Sequence, residues 1–132
     1  MDILTPEQEA QLRTLEKLGI FKLAVQNSYN HIVITDPDGT ILYANQATQR
    51  ITGFSQIELI GNSPRLWGGQ MPAIFYRKLW KCIKEEHHPF IGECMNKRKN
   101  GALYRAHITI TPMMREDGAL VGFVGLEEEI RD

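Results

Sequence analysis

Residues 90–130 read FIGECMNKRKNGALYRAHITITPMMREDGALVGFVGLEEEI, and this stretch decides the fold. Phe90 to Lys99, Leu103 to Met113 and Leu120 to Ile130 are rich in β-branched and aromatic residues and predict three strands. Asn100-Gly101 and Glu116-Asp117-Gly118 separate them, and both are hairpin signals. Strands joined by such short turns run antiparallel. Side chains alternate across a strand, so parity assigns each residue to a face. Phe90, Gly92, Cys94 and Asn96 are expected inward on the first strand, and Ala106, Ile108 and Ile110 on the second, leaving His107 and Thr109 outward. On the third, Phe123, Gly125 and Glu127 are expected inward, and Val124 and Leu126 form an outer apolar patch. Most inward residues are simply core. Asn96 and Glu127 differ, because a buried amide and a buried carboxylate both need partners: each other, a ligand or a water.

Upstream, Thr5-Pro6-Glu7-Gln8 predicts a capped helix start, and Leu12, Leu15 and Leu18 make a narrow apolar stripe on a charged surface. Gly19 interrupts the helix, and a second short turn of helix through Ile20 to Val25 is expected to end near Asn27-Ser28. His31 to Thr35 and Thr40 to Tyr43 predict a hairpin around Asp36-Pro37-Asp38-Gly39. Two brief helices follow, Ala44 to Arg50 and Gln56 to Ile60, and then a loop from Asn62 to Gln70. From Pro72 a longer helix is predicted with Ile74, Phe75, Leu79, Cys82 and Ile83 on one face, stopped by His87-His88-Pro89. The expected architecture is α+β, an antiparallel sheet with helices over one face.

Composition narrows the function classes. Fifteen basic against sixteen acidic residues leave no global field for nucleic acid or anionic lipid. Lys97-Arg98-Lys99 reads as the solvated end of a hairpin. No apolar run is long enough to insert in a membrane, and the N-terminal residues show no cationic-then-apolar signal segment. Cys82 and Cys94 fall in different elements without a metal or redox spacing, which fits free thiols in a reducing, cytoplasmic compartment. No metal-ligand set and no catalytic residue is assigned. Glu127-Glu128-Glu129 lie on one strand and cannot converge on a substrate, so they read as one inward acid with flanking surface charge, and no phosphate loop is present.

In their order and spacing these motifs resemble the PAS, or sensory-box, family. The carriers are Ile32 to Ile41 followed by Tyr43-Ala44-Asn45, then Thr52-Gly53-Phe54-Ser55 with Glu58-Leu59-Ile60-Gly61. Asn96 to Gly101, Glu116-Asp117-Gly118 and Phe123-Val124-Gly125 complete the set, over roughly Ile20 to Ile130. The resemblance implies a five-stranded sheet in the order 2-1-5-4-3, a helical segment at 1–19 and a sensor domain at 20–132. It also implies a ligand between the sheet and the long helix, which with the parity reading gives a candidate pocket of Trp67, Phe75, Leu79, Cys94, Asn96, Ala106, Ile108, Phe123 and Glu127. The signal would leave through the terminal helices to an output domain on a longer chain. The region around Ser63-Pro64-Arg65-Leu66 is similar to PAS domains upstream of diguanylate cyclases or histidine kinases, as in two-component systems.

The resemblance also bears on cofactors. In the flavin-photosensing LOV branch the reactive cysteine lies where Pro64 stands, and its ring-binding amides correspond to Asn96, Ala106 and, for a glutamine, Glu127. Proline and alanine supply neither a thiol adduct nor an amide bond, so a photoactive LOV domain is not expected. The long helix carries no histidine, which disfavours b-type haem. FAD is kept as one candidate on Asn96, Trp67 and Trp80, with Phe90 where redox-sensing relatives carry tryptophan. The ligand itself is left unknown. The rival reading is a ligand-free dimerisation module, because Leu12, Leu15 and Leu18 with Val124 and Leu126 are placed to meet a second protomer, unless the helix covers its own sheet. A homodimer is expected in either case. The final Glu129-Ile130-Arg131 departs from the family's usual "DIT" ending.

Overall fold

The computed structural model describes residues 3–131. Met1, Asp2 and Asp132, the ends of the two expected segments, lie outside the described residues. The chain folds as α1 (Pro6–Lys17), α2 (Ile20–Gln26), β1 (His31–Thr35), β2 (Ile41–Ala44), α3 (Gln46–Thr52) and α4 (Gln56–Leu59). A short 3-10 turn (Pro64–Leu66) leads into α5 (Ala73–Trp80), a π turn (Lys81–Glu85) and the strands β3 (Phe90–Lys97), β4 (Leu103–Met114) and β5 (Leu120–Glu129). The five strands form one antiparallel sheet in the order β2-β1-β5-β4-β3, as the resemblance implied.

Local chemistry explains the element ends. Thr5 and Gln8 form the expected capping box on α1, and Pro6 occupies its first turn. A second box, Ser55 with Glu58, starts α4. The β1–β2 turn is tied by Asp36 Oδ1, which accepts from the amides of Asp38 (2.9 Å) and Thr40 (3.0 Å). At Gly122 of β5, a Cβ would stand 2.2 Å from the Thr35 carbonyl oxygen, so β1 and β5 can approach there only around a glycine.

Asn45 holds the helices to the sheet. It is fully buried and caps α3. Its Oδ1 accepts from the Ile32 and Thr48 amides (3.0 and 3.1 Å) and from the Thr48 hydroxyl (2.8 Å). Its Nδ2 donates to the carbonyls of Val25 (3.0 Å) and Asn30 (2.8 Å). One side chain therefore joins α2, the approach to β1, β1 itself and α3.

Three readings of the sequence need correction. Ile74 is exposed and Cys82 half-buried, because the buried line on the long helix is Phe75, Leu79 and Ile83. The wider π turn keeps Ile83 on that line and turns Cys82 aside, its Sγ 3.4 Å from the carbonyls of His88 and Pro89. Arg98 is not solvated. It donates to the Ile51 carbonyl (2.6 Å), lies over the Tyr104 ring (4.2 Å) and pairs with Glu129, which is therefore not surface charge.

No described helix is long and apolar enough to cross a membrane. Replacing Asn45 with alanine should lower stability by about 3 kcal/mol, since it strands several buried backbone groups at once. A urea midpoint that falls at unchanged slope would show it, and an unchanged midpoint would contradict the assigned role.

Candidate functional site

Parity along the strands and the line of α5 converge on one cavity of ≈ 1360 Å³ between the concave face of the sheet and the long helix. That is roomier than the ~300–1,000 Å³ usual for small-molecule pockets. Trp67, Phe75, Leu79, Cys94, Asn96, Ile108, Phe123 and Glu127 all stand on its walls. Ala106 does not. It is fully buried in the sheet, but its methyl is too short to reach past Cys94 beside it and Ile108 two residues on. Trp80 lines the cavity from the end of α5, edge-on to Phe123 at 5.7 Å. Phe90 packs edge-on against Phe75 at 5.4 Å rather than on the cavity wall.

The polar floor is built around Glu127. Asn96 Nδ2 donates to its Oε1 (2.7 Å), and the Trp67 indole N–H donates to its Oε2 (3.0 Å). The third neighbour is His31, at the first position of β1 and 1% exposed, with Nε2 3.0 Å from Oε2. This distance is that of an ion pair, but neither ring nitrogen makes an aligned hydrogen bond to a described residue. His31 and Glu127 face each other directly across the β1–β5 ladder, and the His31 ring meets Trp67 edge-on at 5.0 Å. The Tyr104 hydroxyl is likewise buried without a hydrogen-bond partner among the described residues. Cys94 Sγ lies 3.5 Å from Asn96 Oδ1.

Electrostatics follow from this arrangement. Burial pushes the Glu127 carboxyl's pKa upward, but the charge of His31 beside it and the hydrogen bonds of Asn96 and Trp67 outweigh it and hold the group below its ordinary range. The Cys94 thiol is pushed up to about 12, first by burial and second by the charge of Glu127, against a smaller opposing effect of its bond to Asn96. The cavity thus ends in an ionised carboxylate and a protonated, unreactive thiol.

Sequence reading assembled most of this wall and missed His31, which it placed only as a strand start. A usable signal was present. In the order 2-1-5-4-3, β1 lies beside β5, and the parity that turns Val33 inward turns His31 inward too. The putting together of Asn96 with Glu127 was one of the partnerships the residues left open. The outer-face candidates are not brought together: Leu12, Leu15 and Leu18 are exposed on α1, which buries no residue, while Val124 is half-buried and Leu126 exposed on β5.

Known proteins share this framework. Residues 19–130 match the family described as the PAS fold. The nitrogen fixation regulatory protein of Klebsiella oxytoca is 32% identical over 131 residues, covering 98% of this chain and 26% of that protein. Blue-light-activated histidine kinase 1 of Erythrobacter litoralis is 31% identical over 117 residues, 86% of this chain and 32% of that protein. An RNA-binding light-oxygen-voltage receptor superposes with a TM-score of 0.79 at 20% identity over 98% of this chain and 35% of that one, a likeness of fold alone. The chain spans about a quarter of the nitrogen-fixation regulator and about a third of the kinase. With the family matched along nearly its whole length and the sheet order independently in place, this chain belongs to the PAS family.

Proposed function

We propose that this chain is a cytoplasmic sensor module that binds a small organic ligand in its cavity, works as a homodimer and passes the signal to an output domain. One observation carries the reading: a large, mostly apolar cavity ends in a polar cluster, where the buried His31 ring pairs with Glu127 through Nε2 and keeps its Nδ1 without a hydrogen-bond partner among the described residues. A close-packed core leaves few spaces of this size, and buried polar atoms are normally paired. The two free thiols fit a reducing compartment. The regulator and kinase similarities support a signalling output of the two-component type. A diguanylate cyclase output rests on the sequence resemblance alone.

The cavity has the volume for a flavin, but its floor is mismatched to one. A flavin's pyrimidine edge carries one N–H between two carbonyl acceptors. Ionised Glu127 can accept from the N–H but repels the carbonyls beside it, and Asn96 already commits one of its two amide hydrogens to Glu127. A different residue argues against thiol-adduct photochemistry: Pro64, which has no thiol, begins the 3-10 turn at the position that corresponds to the LOV cysteine.

Mass spectrometry of the supernatant from denatured, purified protein, with an absorption spectrum before denaturation, tests the sensor reading. A stoichiometric organic molecule is expected. A protein that releases nothing and binds nothing from a metabolite library would leave the dimerisation module standing instead. For that interface, Leu15→Glu with Leu18→Glu should convert a dimer to a monomer in sedimentation velocity, and a monomeric wild type would refute the dimer.

The floor also predicts a pH dependence. Because the folded carboxyl of Glu127 titrates below its ordinary value, its stabilisation is present above about pH 4.3 and is lost as pH falls through the folded pKa. Urea midpoints should therefore drop on acidification more steeply for the wild type than for Glu127→Gln. Parallel curves would contradict the assignment.

A further inference from the structure

The floor specifies the edge chemistry of what binds there. A carboxylate offers about four lone-pair directions, and described residues fill three around Glu127: Asn96 on Oε1, Trp67 and His31 on Oε2. The side chain keeps 13% of its surface open, on the cavity wall. One acceptor direction on Oε1 is left for the ligand. Beside it stands His31, 1% exposed, with its Nδ1 free of any described partner. Trp67 stands against both groups, and further along the cavity Phe75, Trp80 and Phe123 add aromatic walls. Such walls favour a flat, unsaturated body, and the floor favours an edge that donates.

We infer that the ligand is a flat heteroaromatic molecule with an aminated inner edge, of the aminopyrimidine or cyclic-amidine class, which donates to Glu127 Oε1 and sets a second polar atom against His31 Nδ1. This rests on the reading of the cavity as a ligand site and adds the polarity of its inner end. A ring of the same outline whose edge carries no N–H leaves Glu127 Oε1 without its donor and is rejected. Discrimination comes from the buried, unmatched polar groups rather than from shape, and sites of this kind reject a wrong partner strongly.

The test uses two probes of one outline, diaminoquinazoline and dimethylquinazoline, whose edge carries no N–H, titrated calorimetrically into the wild-type protein and Glu127→Gln. The wild type should bind the diamino probe about tenfold or more tighter than the dimethyl probe, the gain of a hydrogen bond to a charged acceptor. Glu127→Gln, which removes the charged acceptor, should bring the ratio close to one. The His31 ring nitrogen resonances should also shift on adding the diamino probe to the wild type, a readout that does not depend on the variant folding. Preference for the dimethyl probe, an unchanged ratio in the variant, or binding of neither probe would each overturn the inference. If neither binds while the purified protein still releases another molecule, sensing stands and only the edge assignment falls.

Discussion

A carboxylate buried at the closed end of a cavity has to be held by donors, and the tertiary arrangement around Glu127 meets that requirement. Its desolvation is offset by groups from three separate places: the amide of Asn96 on β3, the indole of Trp67 after the 3-10 turn, and the imidazole of His31 on β1. Removing any one leaves a buried charge short of a partner, which costs more than the bond itself returns. The carboxylate thus fixes the register of β1 against β5 and the position of the Trp67 loop over the sheet. Trp67 in turn is pinned from behind, since its carbonyl accepts from the Lys97 amide at 2.8 Å.

Much of the fold was legible because its signals are local. Hairpin turns at 100–101 and 116–118, capping residues at Thr5 and Ser55, and strict alternation along β3 to β5 each depend on a few neighbouring residues. The cavity wall was legible for the same reason, as parity needs only the strand and one known inward residue. Partnerships across the sheet were not. His31 meets Glu127 through a pairing ninety-six positions away in sequence, roughly speaking the whole length of the domain. Parity with Val33 turns His31 inward, but nothing in the residues around it says that its partner is Glu127. Arg98 failed to show itself for a similar reason. A basic run looks solvated until the fold brings Ile51, Tyr104 and Glu129 to its middle member.

The long helix shows a different limit. Periodicity assumes one helical repeat, and a change from α to π geometry after Trp80 breaks it for Cys82. Ile74 lies within the α segment and is exposed because it stands beside, not on, the sheet-facing line of Phe75, Leu79 and Ile83.

The direct cross-strand register of His31 and Glu127 has a consequence for how such a domain diversifies. The two residues are neighbours in space on adjacent strands, yet neither belongs to the Asn45 hub that joins the helices to the sheet. The hairpin and capping residues that specify the fold can therefore stay as they are while the chemistry at these two positions changes. Since altering either one alone leaves the other's buried polar group unmatched, lineages that share this scaffold are expected to change the two facing positions together.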